Sequence, residues 1–390
     1  MRIAVVHDYF TQSGGAERVA EVLFQILPNA DLHTTVALPE RLPASLKDVP
    51  ISTSWMQALP GMRKFYRQYF LLYPFSLSSF DLSGYDLVIS SSSGYVKGVS
   101  PPLDTLHVCY CHTPMRWAWS FDGYSKREEM NPATRTVLRA LVALLRTWDR
   151  EASRQPDHFV ANSRGVAARI QRVYGRSAEV IYPPIDVHRF RPTHKPAGGY
   201  YMVLSRLIGY KRLDLAVEAC TKLGRELLVV GDGPHRRALE SIAGPTVKFL
   251  GRVSDDEVVN LAANCRALIF PGEEDFGMAP LEVAAAGRPT IAYRAGGATE
   301  TVIDGVTGLF FDAQSPEHVM EAIERLETRT WSPIELRLHA EEFSIAVFQE
   351  RFFEFLTRIG CPLRGIESLT RVTPSLSVAE NWIGEDLRTA

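Results

Sequence analysis

The sequence predicts an α/β protein built from two doubly wound parallel sheets. Two series of short apolar runs alternate with amphipathic helical stretches, and a Pro- and Gly-rich segment separates the series. A length of 390 residues with 46% apolar content is enough for two cores.

In the first series, strands are expected at Ile3 to Val6, Leu87 to Ser90, Leu106 to Tyr110 and His158 to Ala161, with helices at Ala16 to Leu27 and Thr134 to Ser153. The second series runs through Tyr201 to Leu204, Leu227 to Val230, Val247 to Leu250, Ala267 to Phe270, Thr290 to Tyr293 and Gly308 to Phe311. Between them, Tyr182-Pro-Pro-Ile-Asp and Arg191-Pro-Thr-His-Lys-Pro-Ala-Gly-Gly199 lack core periodicity and read as a linker. The expected domains are residues 1–185 and 186–344. A final helix at 345–359 carries Phe348, Phe352, Phe353 and Phe355, more apolar surface than a solvated tail needs, and is expected to pack back across the domains. Residues 360–390 have weak periodicity.

Composition narrows the class. A net charge of −2 sets nucleic-acid binding aside, although the first half is slightly basic and the second acidic. Five scattered cysteines fit reduced thiols, and Cys109 with Cys111 lacks the second pair that a zinc site needs. The chain opens on a strand, Met1-Arg-Ile-Ala-Val-Val-His7, with no signal-peptide pattern. No apolar run approaches the roughly 20 residues that span a bilayer. A cytoplasmic location is the expectation.

The most informative stretch is Glu274-Asp-Phe-Gly-Met-Ala-Pro-Leu-Glu282. A strand ends at Phe270, and Gly277 leads into a helix at Ala279, so free backbone N–H groups sit where an anion binds. Glu274 in the loop and Glu282 in the helix can hold the hydroxyl groups at either end of one elongated ligand. Ser205-Arg206-Leu-Ile-Gly-Tyr-Lys211 follows the first strand of the second series and brings two cations to the same crevice. Ser13-Gly14-Gly15-Ala16-Glu17 does for the first strand of the chain what glycines do near a ligand, letting backbone approach closely. Ser254-Asp-Asp-Glu257 reads as a helix capping box rather than a metal cluster.

The pattern of Glu274 and Glu282 resembles that of retaining glycosyltransferases of family 4. Arg206 with Lys211, Val230-Gly-Asp-Gly-Pro234 and Gly296-Gly-Ala-Thr-Glu300 stand in family order, as do His112 and Ala161-Asn-Ser163 in the first half. The resemblance covers roughly residues 1 to 358. It implies a GT-B fold, two Rossmann-like domains facing across a cleft. It also implies that Arg206 and Lys211 neutralise a nucleotide-sugar diphosphate, that Glu282 holds the ribose, and that Glu274 contacts the transferred sugar. By the same resemblance Gly14, Gly15, Arg252, Val253, Phe276, Gly277, Met278 and Ala279 approach the donor, while His112, Trp117 and Ser163 face the cleft or acceptor. Catalytic work then falls to His112, Arg206, Lys211 and Glu274. Trp117 and Trp119 can stack on sugar or simply pack.

The amino-terminal pattern, Val6-His-Asp-Tyr-Phe-Thr-Gln-Ser-Gly-Gly-Ala-Glu-Arg, is most similar to that of bacterial mannosyltransferases of polysaccharide assembly. The resemblance therefore implies GDP-mannose as donor; a glycan or polyprenyl-diphosphate-linked acceptor is the expected partner, and without a better acidic motif no cofactor and no obligatory metal are expected. A UDP-sugar-dependent enzyme and a nucleotide-sugar epimerase of GT-B shape are the alternatives. A dehydrogenase is disfavoured because His235-Arg236 stands where the last glycine of a dinucleotide fingerprint belongs. Residues 62–73 interleave Arg63, Lys64 and Arg67 with aromatic residues at helical spacing. They read either as an interfacial helix for peripheral membrane contact or as a core-facing helix with a basic solvent side.

Overall fold

A computed structural model describes residues 1–12, 14–121, 131–193 and 198–361. Ser13 of the Gly-Gly motif, linker residues 194–197 and the tail from residue 362 onward lie outside them.

The first sheet has seven parallel strands in the order β3-β2-β1-β4-β5-β6-β7. These are β1 (Ile3–His7), β2 (Ala30–Thr34), β3 (Ile51–Thr53), β4 (Leu87–Ser92), β5 (Leu106–Cys111), β6 (His158–Ala161) and β7 (Glu179–Val180). The second has six parallel strands in the order β10-β9-β8-β11-β12-β13. They are β8 (Tyr200–Leu204), β9 (Glu226–Val230), β10 (Val247–Gly251), β11 (Ala267–Phe270), β12 (Thr290–Tyr293) and β13 (Gly308–Phe311). Every residue of β1, β4 and β11 is buried, as expected of central strands covered by helices on both faces. Strand order reverses direction between β1 and β4 and again between β8 and β11. The crevices at these switch points open at the strands' carboxyl ends, where α/β proteins bind ligands.

The Gly15–Ile26 helix buries Val19, Ala20, Val22, Leu23 and Ile26 against one face of the first sheet. The same core receives Phe348, Phe352, Phe353, Phe355 and Leu356 of the Ile345–Arg358 helix. Each such side chain contributes roughly 1.5–3 kcal/mol of burial. Although this helix follows the second domain in sequence, it belongs to the first domain's core. The chain crosses between the domains twice, side by side: Ile185 N donates to Phe343 O at 2.8 Å, and Ile185 forms a parallel bridge with Ser344.

The continuous helix expected at 62–73 is not formed. Two single turns, Met62–Phe65 and Tyr73–Ser76, stand in its place. Met62 and Tyr73 are buried, and Tyr66, Tyr69, Phe70 and Leu72 pack on the same cluster from its edge, with Val142 and Leu145 of the Pro132–Ala152 helix in its interior. Aromatic residues are middling helix formers, and here their burial in a tertiary cluster sets the backbone. The periodic pattern marks a core-facing segment. Arg63, Lys64, Phe65 and Arg67 remain on the solvent side.

Candidate active site

Every loop that carries a candidate residue leaves the carboxyl end of a strand, so the fold alone gathers them. After β8, Arg206 lies on the loop and Lys211 ends the Gly209–Lys211 turn. After β11, Gly272 lies directly against Lys211. A Cβ at Gly272 would sit 2.7 Å from Lys211 Cα, so only glycine lets the two loops meet. Gly297 performs the same service from β12: its N–H donates to Glu274 O at 2.9 Å, and a Cβ there would lie 2.1 Å from Phe276 O. Held this way, Glu274 Oε1 is 2.8 Å from Lys211 Nζ, with both side chains mostly buried. A carboxylate accepts up to about four hydrogen bonds, so this pairing leaves capacity for sugar hydroxyls.

The Met278–Ala285 helix starts at Gly277, whose φ of +86° lies in the left-handed region that favours glycine. Glu282 is buried on it and meets Arg18 of the first domain, Nη1 to Oε1 at 2.9 Å. Arg18 also reaches Asp255 at 3.5 Å, which ties in the loop of Arg252 and Val253. Arg252 is exposed and Val253 half-buried. The Ser254 hydroxyl accepts from Glu257 N at 3.2 Å and caps the Asp255–Asn264 helix. Phe276 is buried and stacks on Tyr182 at 5.5 Å, so its side chain belongs to the core and only its backbone faces the loop cluster. Ala279 is half-buried at the helix start.

From the first domain, Gly15 approaches Met278 so closely that a Cβ would lie 2.9 Å from its sulfur. Next to Gly14, Gln12 accepts a short hydrogen bond from Arg206 across the domain boundary. Glu17 is 2% exposed, one of its carboxylate oxygens has no hydrogen-bond partner, and burial pushes its pKa up to about 7. His112 is buried just beyond β5. Its Nε2 is 2.8 Å from Ser91 Oγ, and burial, followed by the neighbouring His7, lowers its pKa to about 3. The imidazole is therefore neutral near pH 7, and serves as a hydrogen-bonding group rather than a cation. Trp117 packs edge-on against Phe70 at 5.2 Å, and Trp119 donates its indole N–H to Asp149 at 2.7 Å. Ser163 is fully buried, its hydroxyl accepting from Val166 N at 3.1 Å to cap the Arg164–Tyr174 helix.

Several residues that sequence reasoning assigned no role complete the seam. Arg116 lies 4.7 Å from the ring centroid of Tyr210, donates to Glu273 O at 3.1 Å and is 3.6 Å from Asp275. Arg169 also pairs with Asp275. Glu300 accepts from the N–H groups of Arg164 and Gly165 at 2.9 and 3.3 Å, at the start of a first-domain helix. Gln12 and Arg18 flank the Gly-Gly turn, and Arg116 sits beside Trp117, so strand-end position was the available signal. Their partners lie 157 to 264 residues away in sequence, which no local pattern reveals. Among the described residues no group of three His, Cys, Asp or Glu side chains is placed to hold a metal ion.

The site thus combines two cations beside a helix start with two carboxylates, along the seam between two Rossmann-like domains. The family model described as Glycosyl transferases group 1 matches residues 185–343, and that described as Glycosyltransferase Family 4 matches residues 13–189. The chain belongs to these glycosyltransferases. Its fold is GT-B: sucrose-phosphate synthase of Thermosynechococcus elongatus matches with a TM-score of 0.69 at 18% identity, over 92% of this chain and 99% of that one. Anabaena HepE in complex with UDP and glucose matches with a TM-score of 0.68 at 16% identity, over 91% and 99%. Human alpha-1,3/1,6-mannosyltransferase ALG2 is 27% identical over 292 residues, 64% of this chain and 67% of that protein. The GDP-mannose-dependent alpha-(1-6)-phosphatidylinositol monomannoside mannosyltransferase of Mycobacterium tuberculosis is 31% identical over 240 residues, 53% and 59%. The matches span from about a third to two thirds of the curated relatives' own length.

Proposed function

We propose that this protein is a retaining hexosyltransferase that takes mannose from GDP-mannose and passes it to a glycan or polyprenyl-diphosphate-linked acceptor in cell-surface polysaccharide assembly. The observation that carries the reading is the Lys211–Glu274 pair at 2.8 Å, with Arg206 on the same loop and Glu282 on the helix that follows. As the bond between the hexose anomeric carbon and the β-phosphate oxygen breaks, negative charge grows on the departing nucleoside diphosphate. Arg206 and Lys211 meet that charge in a mostly buried setting, where preorganised cations act most strongly. Glu282 holds the ribose and Glu274 orients the hexose. The acceptor hydroxyl attacks from the face the phosphate leaves, and its proton passes to the departing diphosphate. Neither a covalent intermediate on Glu274 nor a metal is part of this scheme. Neutral His112 orients a hydroxyl from the first-domain side.

Mannose from GDP-mannose is favoured because curated relatives carrying that donor in their names match the chain at up to 31% identity. A lipid-linked acceptor would be met at the inner face of the cytoplasmic membrane, and no described helix is long and apolar enough to cross a membrane. A thermal-shift panel of GDP, UDP, ADP and their sugars tests the donor. GDP and GDP-mannose at about a hundred times their Kd should stabilise the fold by about 2.7 kcal/mol. Stabilisation by UDP alone would replace the donor with a UDP-sugar.

A further inference from the structure

Beside the seam, on the first domain, Trp119, Ser120, Arg150, Arg169, Arg172 and Val173 line a cavity of about 250 Å³. Three of its six lining side chains are guanidiniums. We propose that this cavity binds a phosphate or diphosphate group of the acceptor, a site distinct from the one that holds the donor diphosphate. The inference rests on the glycosyltransferase reading above.

Its geometry is that of a built site. The floor is rigid because Trp119 donates its indole N–H to Asp149 Oδ2 at 2.7 Å, and Asp149 is fully buried. Tyr174 OH donates to the same oxygen at 2.8 Å, and Lys97 closes the pair from below. Arg150 is exposed and lies over the Trp119 ring, 5.3 Å from its centroid, a cation–π contact that biases its guanidinium toward the cavity it lines. Arg169 and Arg172 are three residues apart on the Arg164–Tyr174 helix and share one face of it. Among the described residues, charge in the cavity is unbalanced. Arg169 is paired with Asp275, whereas Arg150 and Arg172 have no carboxylate partner among the described residues. Asp149 does not compensate, since it is committed to Lys97 beneath the floor. Two guanidinium forks without a carboxylate partner among the described residues suit the oxygens of a diphosphate, which they can bind in paired, charge-assisted hydrogen bonds.

Position joins this cavity to the reaction. Arg169 lines it and also pairs with Asp275, the residue next to Glu274. An acceptor whose phosphate sits between Arg150 and Arg172 therefore extends its sugar past Arg169 toward the group that orients the transferred hexose. Phosphate here would select acceptors that carry it, and would set the distance from the anchor to the attacking hydroxyl.

The test is calorimetric titration of the full chain with inorganic pyrophosphate and with farnesyl diphosphate, each with and without saturating GDP. With GDP present, binding of both should persist, and Arg150→Gln and Arg172→Gln should each raise Kd about tenfold or more. Arg172→Lys should keep most of the affinity, and unchanged circular dichroism should show that the variants fold. Flotation with phosphatidylglycerol vesicles separates a lipid surface from a bound phosphate. If the variants lose vesicle binding but titrate with pyrophosphate and farnesyl diphosphate like wild type, the arginines form a membrane-facing patch and the proposal fails. It also fails if pyrophosphate binds only when GDP is absent and is indifferent to both arginines. Should GDP itself fail to bind, the donor reading suffers, while the dependence on Arg150 and Arg172 still decides the cavity.

Discussion

Lys211→Ala should lower kcat by about 10²- to 10³-fold while leaving the fold intact, the effect of removing one preorganised group aimed at developing transition-state charge. The lysine is 13% exposed and lies 2.8 Å from Glu274, so its charge acts where water screens it poorly. Its removal also frees Glu274 to repel the departing diphosphate. The close approach of Gly272 is to the Lys211 backbone, which alanine preserves. Steady-state rates of nucleotide release, measured beside far-UV circular dichroism, check the expectation. Turnover near wild type with a folded protein would remove Lys211 from the chemistry, and with it the role assigned to the Ser205 to Lys211 loop.

The largest expected loss of stability lies elsewhere, at Lys97. Its ammonium is 1% exposed and pairs with fully buried Asp149. Burial alone would lower the Lys97 pKa, yet its pairing with Asp149 overrides that and raises it. Around this pair converge the Pro132–Ala152 helix, Trp119 and Tyr174, which makes it the hub that fixes the segment after β5. Removing one member of a buried ion pair leaves the other charge without compensation, at a cost of about 3–5 kcal/mol. Lys97→Met should therefore lower the midpoint of the first domain's unfolding transition by several degrees, read by calorimetry. A midpoint within a degree of wild type would mean that Asp149 is held by its tryptophan and tyrosine partners alone.

Much of this architecture was legible because parallel strands buried on both faces are continuous apolar runs. Ala267–Phe270, Thr290–Tyr293 and Gly308–Phe311 appear in the structure with the bounds expected of them. Strands without that signature escaped. β2 reads Ala-Asp-Leu-His-Thr, and its burial is complete only at the last three residues. β3 is a three-residue edge strand with two exposed positions, and β7 has two residues. Short edge strands bury too little to mark the sequence. At 62–73 the error was of the opposite kind: helical spacing was present, but a tertiary cluster used it without a helix. In the site, the Glu274 to Glu282 stretch was visible through its glycine turn and apolar helix. The partners Arg18 and Gln12 were not, because pairing over 264 and 194 residues depends on how two domains face each other. The raised pKa of Glu17 likewise follows from burial that a helix-start glutamate does not advertise.

The most direct test of the account is the stereochemistry of the product. Incubation of the purified protein with GDP-mannose and a polyprenyl-diphosphate-linked glycan, followed by proton NMR of the anomeric region, should show a new glycosidic bond with the donor's α configuration. Omitting the acceptor should yield no altered sugar nucleotide. A product of inverted configuration, or a donor epimerised without acceptor, would contradict same-face transfer between Lys211, Arg206 and Glu274.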